Sequence, residues 1–145
     1  MTQPPRPRGL LGKVDCVQLP VPDLEPGLAF YRDRLGHQLV WRTATAAGLR
    51  LADSDSELVL QTQRPQPEVN FLVSSVDQAV TQPTRAGGTV VVEPFDIAVG
   101  RVAVIADPFE NPLTILDPTK GRYLTDADGN VTGVAAPDPR HPPAE

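Results

Sequence analysis

A single cysteine, Cys16, is all the sulfur chemistry this 145-residue chain offers, so an intrachain disulfide and a cysteine-rich zinc site are both excluded. Basic side chains are short as well. Thirteen Lys and Arg against 18 Asp and Glu leave a net charge of −5, the wrong sign for a nucleic-acid or anionic-membrane surface. No apolar run approaches the roughly 20 residues of a membrane span, and the opening MTQPPRPRG lacks the apolar core of a signal peptide. These absences predict a soluble, cytoplasmic protein. Aromatic residues are only 5% of the chain and Trp41 is its sole tryptophan, which argues against a cavity built on broad aromatic stacking. Histidine occurs twice, at His37 after the first predicted helix and at His141 near the C-terminus.

What is present is an ordinary globular body. Hydrophobic residues make up 40% of the sequence, and its length suits one domain with a buried core. Seventeen prolines look disruptive until they are placed: Pro4, Pro5 and Pro7 fall in the leader, and Pro137, Pro139, Pro142 and Pro143 at the far end. The expected organisation is a flexible leader over residues 1–11, a single domain over 12–120, and a C-terminal hairpin with a proline-rich tail over 121–145.

Residues 14–36 set the pattern for the body. Val17, Leu19 and Val21 alternate with Cys16 and Gln18, the period of a half-buried strand. A turn follows, with Asp23 as helix cap and Pro26 in the first turn. Leu28, Phe30, Tyr31 and Leu35 then form the apolar stripe of a helix that stops at Gly36. Three strands follow, around Trp41, Leu49 and Leu58. Arg64-Pro65-Gln66-Pro67 is a stiff seam, after which the order repeats: a strand from Glu68, a helix over 76–86 bent by Pro83, and three more strands ending near Asp117. The fold class is α+β, with two βαβββ modules, about 12–64 and 68–120.

Alternation also separates the two faces of these strands. Cys16 and Gln18, Val59 and Gln61, Glu68 and Asn70, and Thr114 with Leu116 lie opposite the core-facing rows. Such a face is too polar for a core and too apolar for open water, and it suits a cavity that orients a small organic ligand by a few hydrogen bonds. Arg101 is a candidate partner for an anionic ligand group, and Asp96 is placed to overhang the cavity mouth. In the C-terminal segment, Asp126-Ala127-Asp128-Gly129-Asn130 imitates the start of a calcium loop, but its twelfth position is Pro137 where a bidentate Glu is needed, so a hairpin turn at Asp128-Gly129 is expected.

Val21-Pro22-Asp23-Leu24 followed by Phe30-Tyr31-Arg32-Asp33 and Leu35-Gly36, Val76-Asp77-Gln78-Ala79 followed by Gly87-Gly88, and Gly100-Arg101 with Asp107-Pro108 together resemble the vicinal oxygen chelate superfamily. That superfamily includes glyoxalase, bleomycin-resistance proteins and extradiol dioxygenases. The resemblance implies paired modules with curved mixed sheets around a central cavity, and often a homodimer. It also implies that metal ligands, where relatives have them, correspond to Cys16, Val59 (or Gln61 after a two-residue slip), Glu68 and Thr114. Only Glu68 is an ordinary donor for a divalent ion, so no cofactor is expected and a divalent metal is disfavoured. Two readings result. One is a metal-free protein binding a small molecule. The other is an enzyme of the superfamily, a glyoxalase-type lyase or isomerase or a dioxygenase, either metal-dependent or working by proton transfer through Glu68 as its catalytic residue.

Overall fold

The computed structural model describes residues 9–82 and 86–137, so Pro83, His141, the start of the leader and the end of the tail lie outside the described residues. Strand β1 (Lys13–Pro20) leads to helix α1 (Leu24–Leu28), and β2 (Leu39–Arg42), β3 (Ala46–Arg50) and β4 (Glu57–Gln61) complete the first module. The second repeats the order with β5 (Glu68–Leu72), α2 (Val76–Ala79), β6 (Thr89–Ile97), β7 (Gly100–Ala106) and β8 (Pro112–Asp117). In each module the first strand pairs in parallel with the last, and the other two add antiparallel outside it. The modules join through antiparallel β1 and β5, giving one eight-stranded curved sheet ordered β2-β3-β4-β1-β5-β8-β7-β6.

Both helices cover the same face. Leu24 and Leu28 of α1 pack on Ala47, Leu49, Leu58 and Leu60, and Val76 and Ala79 of α2 on Ala103, Ile105 and Ile115. The first helix departs from the sequence expectation. Past Leu28 it widens into a π-type stretch, Ala29–Arg34, closed by Leu35 N–H donating to Phe30 C=O at 3.0 Å. The extra residue per turn rotates the expected stripe off the core, so that Phe30 and Leu35 are exposed while Tyr31 keeps partial contact. Asp23 precedes the helix in extended backbone and makes no side-chain cap. The second helix, expected over 76–86, runs over Val76–Ala79, helix resumes at Thr81 and Gln82, and residues 83–85 of the expected span lie outside the described residues. Its start is held twice: Gln78 N–H donates to Ser75 Oγ at 3.3 Å, and Val76 N–H donates to the buried Asp117 carboxylate at 2.8 Å.

A final hairpin, β9 (Arg122–Thr125) and β10 (Val131–Ala135), stands apart from the main sheet. Its turn is built by Asp126, whose Oδ1 accepts from Asp128 N–H at 2.9 Å and Asn130 N–H at 3.0 Å. Asp126 is thus spent on its own backbone, as a turn requires. Gly129, at φ 85°, places its carbonyl to accept from Arg42 N–H at 2.7 Å, which docks the turn on edge strand β2. No helix among the described residues is long and apolar enough to cross a membrane.

Candidate functional site

Between the helix-free face of the sheet and the docked hairpin lies a hollow of about 480 Å³. Its floor comes from the centre of the sheet, where register sets side chains abreast. Glu57 on β4 is opposite Cys16 on β1, Cys16 is opposite Asn70 on β5, and Asn70 is opposite Thr114 on β8. Glu57, Cys16 and Asn70 line the hollow, as do Gln18, Val59 and Gln61. Thr114, the last of that row, does not line it. Asn70 is only 7% exposed, and its Oδ1 has no hydrogen-bond partner among the described residues. Buried acceptors are normally satisfied, so this atom is an unmet demand at the cavity floor.

One wall is aromatic. Trp41 lies over Gly48 on the neighbouring strand, packs against Tyr123 of the hairpin with ring centroids 5.1 Å apart and planes tilted by 47°, and donates from Nε1 to Glu57 Oε1 at 2.8 Å. Low aromatic content does not keep aromatics out of the cavity, because the fold gathers residues that are 82 positions apart in sequence. Beside this wall the β1–β5 ladder slips between Val14 and Cys16, and the bulge lets Asp15 line the hollow together with Cys16.

Burial dominates the electrostatics here. It pushes the Asp15 carboxyl above its ordinary value against the pull of Lys13, and pushes Glu57 up against the Trp41 hydrogen bond, with the Asp15 charge raising Glu57 further. The Cys16 thiol is pushed up to about 12, by burial first and then by the charges of Asp15 and Glu57. It is a neutral thiol at ordinary pH. Tyr123 is also raised, mainly by burial.

The opposite end is closed by a polar clasp. Gln61 Nε2 donates to Arg64 C=O at 2.8 Å while its Oε1 accepts from the Gln63 and Arg64 N–H groups, both at 2.8 Å. Arg64 in turn donates to Glu68 at 2.5 Å and to Gln18. Glu68 is therefore an ion-pair partner at the seam and is not among the lining residues. Arg101 does not line the hollow either: it bonds Asp77 and Asp96, each at 3.0 Å. Asp96, also held by Lys120 at 2.9 Å, is tied down in the same network.

Sequence reasoning missed Asp15, Glu57, Trp41, Arg64 and Tyr123 as lining residues. Glu57 was legible, being two positions from Val59 on the same face of one strand. Asp15 was not, since strict alternation turns it away and only the bulge brings it back.

The donor chemistry does not fit a divalent metal. Among the described residues no three His, Cys, Asp or Glu side chains come close enough to share an ion. Cys16 would have to ionise against burial and two carboxylates. Val59 has no donor atom, and His37 is occupied with Arg50 C=O at 3.0 Å.

Residues 13–115 match the family model described as Glyoxalase/Bleomycin resistance protein/Dioxygenase superfamily. Among solved structures the chain is similar to methylmalonyl-CoA epimerase from Mycobacterium tuberculosis, with TM-score 0.66 and 21% identity over 78% of this chain and 92% of that one. It is also similar to homoprotocatechuate 2,3-dioxygenase from Brevibacterium fuscum, with TM-score 0.56 and 22% identity over 79% of this chain and 40% of that one. At such identities the likeness is one of fold. No protein of curated function matches the sequence.

Proposed function

This chain belongs to the glyoxalase/bleomycin resistance protein/dioxygenase superfamily, and we propose that it binds a small organic ligand between its curved sheet and its C-terminal hairpin, without a divalent metal. The observation that carries the reading is Asn70, a buried residue lining a hollow of about 480 Å³, whose Oδ1 has no hydrogen-bond partner among the described residues. A hollow of that size matches small-molecule sites, and its mixture of apolar walls with a few fixed polar atoms is how such sites orient a ligand. Metal independence is supported by the poverty of the donor set, in which no three His, Cys, Asp or Glu side chains among the described residues group closely enough to hold an ion.

Elemental analysis of the purified protein, with and without prior exposure to zinc, nickel, iron and manganese, tests the metal half. Substoichiometric metal throughout is expected, and one tightly held ion per chain overturns it. A fragment screen read by the emission of Trp41, the only tryptophan, tests the other half on protein stripped by chelator.

One observation favours a second reading, metal-independent proton transfer. Asp15 and Glu57 both line the hollow with carboxyls pushed up by burial, the direction that suits a general base. In that reading these two take the role first assigned to Glu68. Deuterium entering a bound ligand from heavy water, lost in Glu57→Gln, would distinguish turnover from binding. Homodimerisation belongs to the proposal as well, supported by the apolar exposure of Val91, Val92 and Phe95 on β6 at the end of the sheet. Light scattering on the eluted protein measures it directly, and a monomer at high concentration removes it.

A further inference from the structure

The polar groups at the inner end of the hollow are rich in acceptors. Glu57, Asp15 and Asn70 Oδ1 are acceptors, clustered around Cys16 by the β4-β1-β5 register and the bulge. Neighbouring strands lie about 5 Å apart, so Glu57 and Asn70 flank Cys16 at one strand spacing on either side, which leaves room for one small polar group between them. Several of the donors nearby are already used. Trp41 Nε1 is committed to Glu57, Gln61 Nε2 to Arg64 C=O, and the Arg64 guanidinium to Glu68 and Gln18. Arg122 lines the hollow only from the exposed hairpin. A ligand that brings donors suits this inner end, and an anion there would meet two carboxylates whose counter-charges are Lys13, itself paired with Asp55, and Arg50.

We propose that the cavity selects a ligand carrying a protonated amine, its ammonium hydrogens received by Asp15, Glu57 and Asn70 Oδ1 and its apolar body laid against Trp41 and Tyr123. An ammonium has donors and no acceptor, the complement of this set. It also offsets the two carboxylates, of which Asp15 already raises Glu57. The tilted Trp41–Tyr123 pair adds ring faces beside the charge, and a cation next to an aromatic face is attracted to it. This inference rests on the small-ligand reading and narrows it.

The test is a fragment panel in matched triplets, an amine, an alcohol and a carboxylate on the same aryl or alkyl body, titrated at neutral pH against Trp41 emission. The amines are expected to give saturable shifts with affinity about tenfold or more above the matching alcohols, as a charge-assisted bond in a desolvated site implies, and the carboxylates none. Asp15→Asn and Glu57→Gln, each checked by circular dichroism for an intact fold, should erase the amine preference. Alcohols or carboxylates binding as tightly as the amines, or an amine preference that survives the double variant, overturns the inference and leaves the small-ligand reading standing. Silence from every member of the panel overturns both.

Discussion

A side chain at Gly48 would occupy the space of the Trp41 indole, which lies directly over it across the β2–β3 pair. Gly48→Ala is therefore expected to lift the ring from Tyr123 and Glu57. The consequence should be a red-shifted Trp41 emission and a loss of about 1 to 3 kcal/mol in urea unfolding, the range for overpacking a close contact. An unchanged spectrum would mean the indole is not held there. Cys16 offers a chemical check on the same neighbourhood. With its thiol pushed up to about 12, it should resist disulfide-exchange reagents at pH 8 in the native protein and react promptly in urea. Glu57 carries the sharpest pH signature. Its folded pKa is raised by burial, so the group favours the folded state fully below the ordinary carboxylate pKa, and that contribution is lost as pH rises through the raised value. Glu57→Gln keeps an acceptor for Trp41 and has no charge to bury. It should melt higher than the natural protein at pH 7 and lose that advantage near pH 4; the opposite order would show that the carboxylate is stabilising where it stands.

Helix α1 shows how far an element can be read from its residues. Leu28 is fully buried against Leu49 and Leu60, and Leu28→Ala is expected to cost about 2 to 5 kcal/mol in chemical denaturation. Phe30, exposed at 49%, should tolerate Phe30→Ser with little change, although a regular helix would have counted both as core. Equal costs would restore the straight-helix reading. The strands and their order were legible because period-2 patterning is local, and the duplicated βαβββ order was legible because it repeats. The inward row of Cys16, Gln18, Val59, Gln61 and Asn70 followed from the same alternation. The misses are physical in kind. A π-type widening and a β-bulge each insert one residue into a period, and nothing in a single sequence marks where the period slips. Glu68 and Arg101 faced the right way in the pattern but were captured by Arg64 and by Asp77 with Asp96, partners distributed too irregularly for spacing to reveal.

At the scale of the molecule, the eight-stranded sheet is closed on its helix side by its own core, and the hairpin stands over the other side. The hairpin adds no strand to that sheet. It is held by the Arg42 N–H bond to Gly129, a single bridge between Arg42 and Asn130, and the Trp41–Tyr123 contact. Few groups are buried in that attachment compared with the packed helix face, so removing residues 121–145 should leave a cooperatively folding sheet with a modestly lower melting temperature. Ligand binding should suffer far more, because Tyr123 and its neighbours form the wall that separates the inner carboxylates from bulk water. Once that wall is gone, Asp15 and Glu57 regain solvent and the burial that raises both groups is relieved, so titration of the truncated protein should find the two carboxyls closer to their ordinary range. Tyr123→Ala is the milder variant, keeping the hairpin while opening its contact with Trp41. If truncation unfolds the sheet, the hairpin is part of the core. If it leaves fragment binding and both carboxyl titrations unchanged, the hollow is not enclosed by this segment and the site must be sought on the open sheet.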